Sequence, residues 1–338
     1  MTEHAGEPPF VSTIRLRGLG LLHVAHSLVE PIPRSIRHDW IIPNRSAAAN
    51  VQIDSSEVAE CGVADGAIRA RIGYDVSHQL LHRIEDKHMK PVSIQLYTLR
   101  DYAKDDFIGV LEKVAEMGYA GVEPAGLFGH KPAEVKKIVE DLGMTVSSNH
   151  QPWPNKENLS EVIDVAAELG TQTVICGWGP DRFADRDAIE NAAEEARFIV
   201  EKLSAAGLTV ALHNHYWEFD RLAGTLKYDI FVDLVPGLML EIDTYWCANF
   251  GANDAAEIVK KWNKRAPLLH IKDGLFDKEA LQVPVGAGKM DIPEVIAAAD
   301  PDVLQWLIVE NDTCDRDMLD GARESLKYLT ENGLGRGK

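Results

Sequence analysis

From Val92 onward, short apolar runs alternate with amphipathic stretches at a spacing of roughly 30 residues. The runs predict strands at Val92–Leu96, Gly121–Glu123, Thr145–Ser148, Thr173–Cys176, Thr209–His213, Leu238–Ile242, Leu268–Ile271 and Leu307–Val309. Between them the apolar positions recur with helical period, predicting helices near Asp105–Met117, Pro132–Leu142, Leu159–Leu169, Ala188–Ala206 and, last, Asp320–Thr330. Gly118, Gly143, Gly170 and Gly207 stand where helices should stop, and Pro132 opens one. A helix that returns the chain makes successive strands parallel. Eight such units in about 250 residues suit a single (β/α)8 TIM barrel. A doubly wound open sheet wants a glycine-rich phosphate loop after its first strand. Here that strand runs into Tyr97-Thr-Leu-Arg, without glycine.

Residues 1–88 follow no such rule. No apolar period persists through them, and pieces such as Leu19–Val24 are separated by Pro31, Pro33 and Pro43 without cap or turn logic. They carry 9 basic and 11 acidic residues, against 26 and 42 in the remainder. The expectation is a poorly ordered N-terminal extension over 1–88, or upstream sequence translated in frame ahead of a natural start at Met89. The barrel then occupies 89–338.

The whole chain of 338 residues has a formal net charge of −18, which opposes general binding to nucleic acid or anionic membrane. No apolar run reaches the length of a membrane-spanning helix, and no secretory signal is visible at the start. Cys61, Cys176, Cys247 and Cys314 are scattered, reading as reduced thiols of a cytoplasmic protein.

Barrel chemistry gathers where the strands' C-terminal ends meet. Those ends carry Glu123, then Asn149-His150, then Gly177-Trp178, then His213-Asn214-His215 with Glu218 close behind. Strands six to eight close with Glu241-Ile242-Asp243, His270-Ile271-Lys272-Asp273 and Glu310-Asn311-Asp312. Each is ordinary alone. Glu241 can be a helix-capping residue or a partner standing behind the ligands, Asp273 can cap the segment after strand seven, and Trp178 and Trp217 can simply pack or can wall a sugar ring. Together, convergent carboxylates and imidazoles at one end of a closed barrel are costly unless a cation neutralises them. A bound metal is therefore expected.

The strings His213-Asn-His-Tyr-Trp-Glu218-Phe, Glu241-Ile-Asp243, His270-Ile-Lys-Asp273, Val285-Gly-Ala-Gly288-Lys-Met-Asp291 and Val309-Glu310-Asn-Asp312, in this order, resemble the xylose-isomerase-like TIM-barrel family of sugar phosphate isomerases and epimerases. The resemblance covers about 91–332. It implies one divalent ion held by Glu218, Asp243, His270 and Glu310, with His215 or His213 competing for the place of Glu218. An oxygen-rich set suits Mn²⁺ foremost, with Mg²⁺, Co²⁺ or Zn²⁺ as alternatives. It further implies Glu218 and Glu310 as the proton-transferring pair on a chelated keto-sugar. His150, His215 and Lys272 would hold hydroxyls or act as auxiliary acids and bases, and Glu123, Trp178 and Asn214 would line or brace the substrate site.

The implied activity is isomerisation or epimerisation through an enediolate. The alternative is β-elimination from a 3-keto-glycoside by the same enolate, a lyase or hydratase with His150 or His215 as base. An apurinic-endonuclease relative, which the charge opposes, and a metal-free carbohydrate-binding barrel are the remaining options. The expected partner is a small carbohydrate, with homo-oligomerisation open. Arg182 and Arg221 are the only obvious anion holders near the presumed catalytic side, which favours an unphosphorylated substrate.

Overall fold

The computed structural model describes residues 89–338 throughout and, before them, three strands, Phe10–Leu16, Gly20–His26 and Ile53–Asp54. The chain divides into two units, Met1–His88 and Met89–Lys338. In the first, the Phe10–Leu16 strand pairs antiparallel with both others, Phe10 opposite His26 and Leu16 opposite Gly20. Apolar and polar residues do not alternate in either seven-residue strand, as Phe10-Val11 and Leu21-Leu22 show, so no strand period registers there. The expectation of poor order over the rest of 1–88 lies outside the described residues.

The second unit is a closed parallel barrel with a helix after each strand. Its strands are β1 (Val92–Gln95), β2 (Gly121–Glu123), β3 (Thr145–Val146, resumed at Asn149–His150), β4 (Thr173–Cys176), β5 (Thr209–His213), β6 (Met239–Asp243), β7 (Leu268–Ile271) and β8 (Trp306–Val309). Each pairs with the next, and β8 pairs with β1 through Ile308 opposite Ser93, which closes the ring. The first piece of β3 pairs with β2 and the second with β4.

The helices are α1 (Arg100–Met117), α2 (Pro132–Asp141), α3 (Leu159–Leu169), α4 (Arg186–Ala205), α5 (Lys227–Leu234), α6 (Ala255–Trp262), α7 (Ile292–Ala297) and α8 (Met318–Glu331). Asp185, Asp254, Asp291 and Asp317 cap α4, α6, α7 and α8 with side-chain acceptors for first-turn N–H groups. The one sizeable difference from the sequence expectation is α1, which begins five residues early. A kink at Asp106 interrupts it, and the early turn before that kink has too few apolar positions to show a helical period. No helix among the described residues is long and apolar enough to cross a membrane.

The strand period of two sorts the barrel into layers. Leu240 and Ile242, Leu269 and Ile271, Leu307 and Val309 face outward and join the large core beneath the helices. Their alternates face inward. Low in the barrel these are Ile175, Ala211, Leu268 and Ile308, a small apolar cluster with Met239 and Trp306 packed against it. Burying a side chain such as Leu268 contributes about 1.5–3 kcal/mol. Two residues further along, the same inward parity delivers His213, Glu241, Asp243, His270 and Glu310. Fold and site thus follow from one alternation.

Candidate metal centre

Strand register sets the neighbours: Asp243 lies opposite His270, and Glu241 opposite His213. One ligand atom from each of His213, Asp243, His270 and Glu310 comes within 4.8 Å of every other. That is close to the spacing of donors sharing one ion through bonds of about 2.1 Å. All four residues are buried. Two donor atoms among them, His213 Nδ1 and Asp243 Oδ2, have no hydrogen-bond partner despite their burial. Unpartnered buried polar atoms are expensive, and a cation would satisfy them. Two imidazoles and two carboxylates fit a divalent transition ion by donor chemistry.

The quartet that these distances bring together holds His213, one of the two competitors for the place of Glu218, and not Glu218 itself. Glu218 sits on a short turn, Trp217–Phe219, beyond the end of β5, and is buried, its Oε1 without a hydrogen-bond partner. Its Oε2 accepts the His215 backbone N–H at 2.9 Å, and His215 Nδ1 lies 3.9 Å from its Oε1. Burial pushes its carboxyl pKa up. His213 is on the strand itself with inward parity. Burial, with His270 and His150 adding to it, holds its imidazole pKa well below the ordinary value, so the ring is neutral as a metal ligand requires.

His270 is held from both sides. Its Nδ1 is 2.7 Å from Glu310 Oε2, and its Nε2 is 3.1 Å from Glu123 Oε1 and 3.0 Å from Glu241 Oε2. Burial opposes a charge on this ring, but Glu241, Glu310 and Glu123 outweigh it and raise its pKa well above the usual value. Glu123 is clamped in turn by Gln95 Nε2 at 2.5 Å and by the Ser148 hydroxyl. Neither Gln95 nor Ser148 was anticipated; inward parity on β1 was the signal for Gln95. Lys272 is fully buried, its Nζ 2.9 Å from Asp243 Oδ2, 2.9 Å from Glu310 Oε2 and 2.7 Å from Asp312 Oδ2. These three carboxylates overcome its burial and hold its pKa well above normal.

A cavity of about 580 Å³ opens over this cluster, and His150, His213, His215, Glu310 and Asp312 line it. His150 and His215 flank His213, with ring centroids 4.9 Å and 5.0 Å from it. His215 also stacks on Trp217 at 4.2 Å. The other anticipated substrate residues stand elsewhere. Glu123 and Lys272 lie behind the cavity wall among the carboxylates. Asn214 braces the chain, donating to the Asp243 carbonyl at 3.2 Å while its Oδ1 accepts the Asp243 N–H at 3.0 Å. Trp178 has outward parity and stacks on Trp153 at 4.2 Å, edge-on to Phe231.

Asp273 moors a loop. Its two oxygens accept the N–H groups of Gly274, Gly286, Gly288 and Met290 at 2.8–3.1 Å. A Cβ at Gly288 would lie 2.0 Å from Asp273 Oδ1, and Gly286 has a left-handed φ of +89°, which explains both glycines of that string.

The family model described as "Xylose isomerase-like TIM barrel" matches residues 111–332. Among solved structures, the chain is similar to a sugar phosphate isomerase/epimerase from Parabacteroides distasonis, with 26% identity over 71% of this chain and 93% of that one, TM-score 0.61. It also shares its fold with a D-allulose 3-epimerase from Methylomonas sp. (17% identity, 72% of this chain and 98% of that one, TM-score 0.56). A probable 3-DHS dehydratase from Bacillus anthracis has the fold too (15% identity, 71% and 98%, TM-score 0.57). No curated protein matches the sequence.

Proposed function

The chain belongs to the xylose isomerase-like TIM-barrel family, and from that membership and the buried quartet we propose that it is a divalent-metal-dependent sugar isomerase or epimerase. The observation that carries this reading is the convergence of His213, Asp243, His270 and Glu310 at one end of a cavity that two further histidines line. An ion held there, Mn²⁺ foremost, would polarise the carbonyl of a keto-sugar and stabilise negative charge on its oxygens when the adjacent proton leaves.

The residues supply the rest. Glu310 lines the cavity, and burial, which would raise its carboxyl pKa, is outweighed by Lys272 and His270, which hold it well below the ordinary range. It is therefore an ionised carboxylate, suited to holding the ion. His150 and His215, on the ends of β3 and β5, return or relay protons from the other side. Delivery to the opposite face of the same carbon yields an epimer, and delivery to the neighbouring carbon an isomer.

The structural neighbours named for sugar isomerase and epimerase activities are consistent with this reading. One observation favours a second one. With His213 in place of Glu218, the imidazoles of His150 and His215 line the cavity together with the carboxylates of Glu310 and Asp312. An imidazole can both accept and donate a proton, and so can protonate a departing oxygen, as β-elimination from a 3-keto-glycoside requires.

Proton NMR in D₂O, with Mn²⁺-loaded enzyme on ketoses and 3-keto-glucosides, tests both. Deuterium appearing beside the carbonyl is the expected result, aglycone release selects the lyase, and the absence of both removes the proposal. Glu310→Gln is expected to abolish either activity. A cytoplasmic location and assembly into homo-oligomers are accessory expectations of the same reading.

A further inference from the structure

The cavity is chemically lopsided. Where β5 and β8 end, it is lined by His213, His215, Glu310 and Asp312. On the side of β1, β2 and β3 the polar Asn149, His150 and Gln151 at the end of β3 are joined by an apolar strip of Tyr97, Ala125, Leu127 and Pro152 from the loops and Val165 from α3. Among the described residues, no lysine or arginine lines it. Lys272 is spent on three carboxylates. Arg100, beside the cavity residue Tyr97, lies over that ring at 4.2 Å and donates to the carbonyls of Tyr97 and Asp312. The two arginines singled out in the sequence are also occupied elsewhere. Arg182 pairs with Glu195, and Arg221 donates to the Gly224 carbonyl at 2.9 Å.

Size points the same way as charge. A hexose displaces roughly six waters of about 30 Å³ each, so a free sugar fills only about a third of the space. The remainder adjoins the apolar wall.

We propose that the substrate is an uncharged sugar bearing an apolar substituent, such as an aryl or alkyl glycoside, with the sugar over the quartet and the substituent against Tyr97, Leu127, Pro152 and Val165. This rests on the preceding reading for the orientation of the sugar. A phosphate ester fits poorly. Its dianion would enter a cavity that carries the carboxylates of Glu310 and Asp312, with no lysine or arginine on the lining to replace the water it loses. An apolar group, by contrast, gains by leaving water.

Glucose, glucose 6-phosphate and phenyl β-D-glucoside share one pyranose ring and differ in charge and apolar substituent, so calorimetric titration of each into the Mn²⁺-loaded full chain tests the inference directly. Phenyl glucoside is expected to bind at least tenfold tighter than glucose, and glucose 6-phosphate no tighter than glucose. Leu127→Lys is expected to improve phosphate-ester binding severalfold, and Tyr97→Ala with Val165→Ser to erase the phenyl preference. Tighter binding of the phosphate ester, equal binding of all three, or no binding of phenyl glucoside overturns the inference. The proposed chemistry fails separately: deuterium exchange absent from every ketone, with the phenyl preference intact, removes the isomerase and keeps the cavity's selectivity. Exchange that runs best on a phosphorylated ketose does the reverse.

Discussion

Strands β5 to β8 send inward, at their upper ends, His213, Glu241, Asp243, His270, Lys272 and Glu310, all of them buried. The matching positions of β1, β2 and β4 carry Gln95, Glu123 and Gly177, and the loops beyond β1 to β3 add Tyr97, Leu127 and Pro152. One half of the mouth is therefore a dense set of charges neutralising one another, and the other is an open recess where an apolar strip, Tyr97, Leu127 and Pro152, runs beside the uncharged polar Asn149 and Gln151. Both halves use the same strand geometry and differ only in which residues occupy the inward positions. A barrel can thus assign reaction chemistry and substrate shape to opposite arcs of its rim, so that either can change while the other is kept.

The contrast can be broken most forcefully at Lys272. Lys272→Met leaves Asp243, Glu310 and Asp312 facing one another without their cation, at a cost of about 3–5 kcal/mol. Urea unfolding of the metal-free protein reads that loss, and saturating Mn²⁺ is expected to restore part of it by binding the folded state.

Next in size is the choice between two neighbours. His213→Ala is expected to weaken Mn²⁺ binding by about a hundredfold, whereas Glu218→Gln, outside the quartet, changes it by no more than a few-fold. Equilibrium dialysis compares them, and equal losses would return Glu218 to the ligand set.

A smaller effect concerns protons. The raised pKa of His270 means that its ring is charged at neutral pH in the metal-free protein, while a ligand must be neutral. Mn²⁺ binding is then expected to release about one proton per ion and to tighten as pH rises. Calorimetry in buffers of different ionisation enthalpy measures the release directly.

Most of the barrel is readable from the chain because buried parallel strands are apolar runs and their helices end on glycine. The predicted limits of β2, β4, β5, β7 and α3 match the observed ones residue for residue. The convergence of Asp243, His270 and Glu310 was readable for the same reason, since they stand at or beside the ends of strands whose parity is unambiguous. Glu218 was not, because it lies on a turn, where a period of two has no meaning. Parity does decide between its competitors, since Ala211 and His213 share the inward face of β5. It also turns Trp178 outward, next to inward Gly177. What no spacing reveals is that Asp312, two strands on from Asp243, shares Lys272 with it, because that contact depends on side chains reaching across the rim.

Asp273 gives the rim a further property. By gathering amides from Gly274 to Met290 it stitches the segment after β7 onto the strand that carries His270 and Lys272. That sector is a fixed jamb. Four amides drawn to one carboxylate thus keep that side of the doorway from shifting when a guest passes.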